Sequence, residues 1–235
     1  MTTTTHVIST APSRSRAVLR AAGVLLIVAG ITFFLYGPLH PGDSGGDKVD
    51  ALAEMLENPM WLPAHLLGLA SYACFAAAVL AIRKAIALDP MMSRVTSVVF
   101  AIGIAGTIAM VVHALAFLGA DAVRAGGEDA FWYQLMTWNE SIVNAVWALS
   151  TAVLVAAGGL TRTIGNRILM LLGLVGALAY ALALATVPFI DTFDALFPVS
   201  GLLAVWAVIA GVVLLARRGE PIDTHRPSFT DSSTR

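Results

Sequence analysis

Charge is what this sequence has least of. Charged residues occupy 12% of the 235 positions, about half the share of an ordinary soluble domain. A soluble core of this length has no room for a chain that is 58% hydrophobic, because too little polar surface is left to cover it. Lipid has room. Neither sign of charge prevails either: the formal net charge is −1, and with no basic patch or glycine-rich phosphate cradle this argues against a nucleic-acid partner. Cysteine is nearly missing. The single Cys74 lies inside an apolar run, so it forms no intrachain disulfide and says nothing about redox compartment.

What is present is length without polarity. Crossing a hydrocarbon core takes about 20 apolar residues, and six stretches reach that length: Ala21–Leu39, Trp61–Ile82, Val95–Ala120, Ser141–Thr161, Ile168–Ile190 and Ala195–Ala216. A spanning backbone must satisfy its own hydrogen bonds, so these are helices. A membrane β-barrel is excluded, since it needs shorter segments of alternating polarity. The expected fold is an all-α membrane protein, a bundle of six transmembrane helices. The expected organisation is a six-span domain over 17–218 between disordered tails at 1–16 and 219–235. The first apolar run is too long for a signal peptide and no small-x-small site follows it, so span one is expected to remain in place.

Orientation follows from the basic residues. Arg14, Arg16 and Arg20 precede span one; Arg83, Lys84 and Arg94 separate spans two and three; Arg162 and Arg167 separate four and five; Arg217 and Arg218 follow six. All fall on one side, which the positive-inside rule makes cytoplasmic, with both termini in and the plasma membrane as the expected location. In the first outer loop, Asp47–Glu57 places Val49, Leu52, Ala53 and Leu56 on one helical face. A short amphipathic helix resting on the headgroups fits best, with a cover over a site as the alternative. Trp61, Trp132, Tyr133 and Trp138 read as the outer aromatic belt.

Ionisable and polar residues inside lipid are costly and mark candidate sites. With about 1.5 Å of rise per residue, His65 lies roughly 27 Å above Arg83, His113 roughly 28 Å above Arg94, and Asn144 roughly 27 Å above Arg162. Thr186 and Ser200 fall at similar heights; His40, Glu140, Asp191 and Asp194 lie about a turn further out. Asn139, Glu140 and Asn144 form a stripe on span four that should face the bundle. The polar residues therefore converge on one layer near the outer end. His40, Asp191 and Asp194 also fit an ordinary polar helix end, and a buried histidine can simply bond a neighbouring helix.

Three chemistries suit that layer. Haem b between His65 and His113 is one, since each lies on its own span at equal depth. A small divalent metal held by His65, His113 and either Glu140 or His40 is the second, with Asn139, Asn144, Thr186, Asp191 and Ser200 lining the pocket. Closely packed neighbouring helices, about 8–10 Å apart, favour this over a macrocycle. The third has no cofactor: an outward pocket in a transporter, or a structural subunit of a homo-oligomer or larger membrane complex. Nothing in the sequence decides between enzyme and binder.

Overall fold

Lipid cannot solvate a bare peptide group, so each crossing must be a complete helix, and the computed structural model is built that way throughout. It describes residues 11–42, 46–85 and 88–217. Among these, every regular element is helical: α1 (Ala11–Leu39), α2 (Lys48–Glu57), α3 (Trp61–Ala85), α4 (Pro90–Ala114), α5 (Ala120–Gly126), α6 (Phe131–Trp138), α7 (Ala145–Leu160), α8 (Arg167–Thr186) and α9 (Leu196–Ala216). A 3₁₀ turn, Leu115–Gly119, joins α4 to α5, and a π-helical segment, Asn139–Asn144, fuses α6 to α7. Six of the resulting helices are long and apolar enough to cross a membrane. The expected tails lie outside the described residues, except that α1 already begins at Ala11, ahead of the boundary drawn from composition.

Local chemistry sets the helix starts. Asp47 and Asp89 accept the free N–H groups of Val49 and of Met91 and Met92, and Asn166 accepts from Leu169. Pro90 follows Asp89 at the first helical position, where its missing N–H costs nothing. Span four begins at Phe131, well before the expected Ser141, because Asn139 and Glu140 turn inward and do not interrupt the helix.

Each long helix packs on its neighbours in sequence, and α1 closes the circle against α9, giving the ring α1–α3–α4–α7–α8–α9. Glycine permits that closure. A Cβ on Gly23 would stand 2.7 Å from the Gly211 carbonyl, and one on Gly30 would stand 2.6 Å from the Ala204 carbonyl, so only hydrogen fits between the backbones. The outer face carries exposed apolar stripes such as Ile168, Leu171, Val175, Leu178 and Leu182 on α8. Their spacing of three and four is a helical face turned to lipid, and in water it would be an aggregation surface.

Six helices in a ring enclose a lumen. Aromatic side chains from five of them fill its middle: Tyr72 stacks on Trp147 at 3.9 Å, Phe33 meets Tyr180 edge-on at 4.9 Å, and Phe197 lies 6.5 Å from Tyr180. Above this plug, at the α2 end, the lumen stays open.

α2 packs on protein, as a cover would. Its buried Ala53 and Leu56 pack with Trp61, Ala116, Ala120 and Val123. Lys48 near its start is ion-paired with Asp191 of the α8–α9 connection, and Glu57 at its end pairs with Arg124 of α5 at 2.7 Å. The helix thus covers the open end of the ring.

Candidate metal centre

Three histidines reach one point from three directions. His65 is one turn into α3, His113 is in the last turn of α4, and His40 follows α1, where its N–H closes the helix onto the Tyr36 carbonyl at 2.9 Å. One ring nitrogen of each lies within 4.8 Å of the others. His65 and His113 are buried and His40 is half-buried.

The second nitrogen of each ring identifies the first. His65 Nδ1 lies 2.6 Å from the Trp61 carbonyl and His40 Nδ1 lies 2.9 Å from the Pro41 carbonyl. A carbonyl only accepts, so both Nδ1 atoms carry the proton. His113 Nδ1 lies 2.8 Å from Glu140 Oε1, with both side chains largely withdrawn from solvent. Asn139 brings its amide nitrogen to 3.1 Å from the same atom and 3.4 Å from the Ala109 carbonyl. One nitrogen cannot accept from the amide while donating to the carboxylate. The carboxylate oxygen is the nearer partner, so Nδ1 is assigned as its donor and Asn139 serves Ala109. With Nδ1 engaged in each ring, Nε2 is the atom each histidine has left to offer a metal.

Burial also fixes protonation. Withdrawal from water, reinforced by the neighbouring His113, lowers the His40 imidazole to about 4, so at neutral pH it is uncharged and able to ligate. His65 Nε2 has the Tyr36 hydroxyl at 3.4 Å. His113 Nε2 has no hydrogen-bond partner among the described residues although it is fully buried. An unsatisfied polar atom of this kind costs about 1–3 kcal/mol.

Two features around the histidines are not obvious from residue type. Trp61 stacks over His65 at 3.9 Å and His113 at 5.2 Å and is 2% exposed. It does not belong to the aromatic belt; the histidine rings hold it inside. The consecutive residues Asn139 and Glu140 open a π-helical segment, and both approach His113 Nδ1. The spacings Tyr36–His40 and Trp61–His65, both i to i+4, are the sequence signal for these neighbours.

A cavity of about 660 Å³ opens beside the histidines. His40, His113, Glu140 and Ser200 reach its wall. Asn144 stands behind Glu140, its amide 3.4 Å from the carboxylate. The Thr186 hydroxyl turns back to the Leu182 carbonyl at 2.8 Å, and Asp191 is occupied on the surface by Lys48. Glu140 binds His113, and Asp194, one turn further along, also borders the cavity.

His65 and His113 have ring centroids 4.5 Å apart at 36°. A haem between them needs one ring on each face of the macrocycle, and that gap does not exist. A single ion fits better. Zn–N bonds of about 2.0–2.1 Å give nitrogens about 3.4 Å apart in a tetrahedron, so modest side-chain movement closes the set. No family model, curated protein or solved structure matches this chain.

Proposed function

We propose that this membrane protein binds one divalent transition-metal ion through His40, His65 and His113, at the plasma-membrane face where the outer loops lie. The carrying observation is that one ring nitrogen of each of the three histidines lies within 4.8 Å of the others, while each Nδ1 has its own partner and the buried His113 Nε2 has none among the described residues. Three imidazoles without thiolate suit zinc, copper, iron or nickel rather than magnesium or calcium. Glu140 is the carboxylate that orients a ligating histidine and raises its basicity. A three-nitrogen set leaves a coordination position for a ligand, as catalytic zinc sites do. The adjoining cavity makes Lewis-acid activation of a bound oxygen the chemistry this arrangement favours.

Elemental analysis of detergent-purified protein, with an absorption spectrum of the same sample, tests the reading. One metal per chain without a haem band is expected, and it should be lost from His40→Ala, His65→Ala and His113→Ala separately. Folded wild-type protein that takes up no zinc, copper, iron or nickel would sink the metal centre and return the cofactor-free transporter or assembly subunit. A Soret band shifting on reduction would restore haem.

A further inference from the structure

The ring is tight at one end and open at the other. Along the α1–α9 seam, Gly23, Gly30 and Gly211 each have backbone within 3 Å of an added Cβ. Further toward the α2 end, Gly37 of α1 and Gly201 of α9 face open space, with nothing within 4 Å. Both border the cavity. Above the Gly30–Ala204 contact, α1 and α9 thus turn small residues to the cavity among the described residues.

Phe34 shows where the cavity leads. It borders the cavity and is also 57% exposed on the outer surface of α1. That surface is the lipid-facing one, carrying Val24, Val28 and Ile31 along the same helix. The end of the ring is covered by α2, whose Ala51, Leu52 and Met55 form the roof and whose two ends are held by ion pairs. The lining is largely apolar, including Phe33, Leu184 and Phe197, and carries polar groups at His113 and Glu140 and also at Lys48, Asp194 and Ser200. An opening onto lipid and an apolar lining that carries polar groups describe a site for a molecule that has both.

We infer that the cavity binds a membrane-resident, single-chain amphiphile, which enters sideways between α1 and α9 and sets an oxygen-bearing head group beside His113. The head-group assignment rests on the metal reading, since a cation held by three imidazoles attracts a carboxylate, hydroxyl or carbonyl oxygen. Entry of the chain rests on the cavity alone.

The test uses the full-length protein in lipid nanodiscs doped with a diazirine-bearing long-chain fatty acid. After illumination, labelled residues are mapped by mass spectrometry, and metal content is measured on the same samples. Leu184, Met136 and Tyr180 border the cavity and are each at most 4% exposed, so only a probe inside the cavity reaches them. Labelling there is expected in wild type and lost in Gly201→Phe, which fills the portal. It should persist in Ile108→Phe, on the lipid face of α4. Labels confined to exposed residues such as Ile108 and Val175 would overturn the inference. If Gly201→Phe fails to fold, the wild-type map decides. Metal without cavity labelling rejects the amphiphile alone; cavity labelling without metal rejects the metal centre and the head-group assignment, and leaves the lipid passage standing.

Discussion

His113 Nδ1 and Glu140 Oε1 lie 2.8 Å apart, joining the last turn of α4 to the π-helical segment of span four. The contact sets the direction of the imidazole and leaves its Nε2 aimed inward. Replacing Glu140 with Gln keeps the shape but removes the charge that holds the Nδ1 proton. Loss of such a partner lowers metal affinity about 10–100-fold. Competition against a chelator of known affinity should show that loss in Glu140→Gln, with metal stoichiometry restored at high metal concentration. Unchanged affinity would reduce Glu140 to a bystander.

Trp61 lies over both His65 and His113, which makes it a reporter of the site. Binding of Cu²⁺ should quench tryptophan emission in the wild type, and most of that quench should vanish in Trp61→Phe. Phenylalanine keeps an aromatic face on the histidines, so metal stoichiometry should remain. Equal quenching in both proteins would place the ion nearer one of the other four tryptophans, Trp132, Trp138, Trp147 or Trp206.

Depth is legible in the sequence because helical rise is fixed; that is why His65, His113 and Asn144 fall in one layer. The lateral grouping is not. It depends on α1 closing against α9, and no hydropathy pattern states which helices meet. Trp61 illustrates the limit: a tryptophan at a helix end reads as an interfacial anchor, and only packing against two histidines makes it interior. The π-helical segment that Asn139 and Glu140 open is equally hidden. The role of α2 turns on the same point. Its amphipathic face is readable, while the protein surface it covers is not.

Glycine in this fold is a distance requirement, and its removal should cost stability where backbones touch. A Cβ on Gly176 would stand 2.2 Å from the Leu203 backbone nitrogen, across the α8–α9 seam. Overpacking of this kind costs about 1–3 kcal/mol, so Gly176→Ala should lower the midpoint of thermal unfolding in detergent. Gly42→Ala, where an added Cβ meets nothing within 4 Å, is the matched control and should not. Equal midpoints would mean that the seam relaxes without loss.

The direction of insertion decides which compartment would supply the proposed ion. Arg83 and Lys84 end α3, Arg94 lies in the first turns of α4, and Arg217 donates to the Arg162 carbonyl at 2.7 Å, so these basic residues share one end of the ring. The histidines lie toward the other. The positive-inside rule predicts that the basic end is cytoplasmic. In a Cys74→Ala background, Asp129→Cys should react with a membrane-impermeant maleimide in intact cells, because Asp129 is exposed beyond α5 at the histidine end. Met91→Cys, at a position 48% exposed at the start of α4, should react only after lysis. The reverse pattern would turn the protein over and make the cytoplasm the source of the metal, with the α1–α9 portal opening to the inner leaflet.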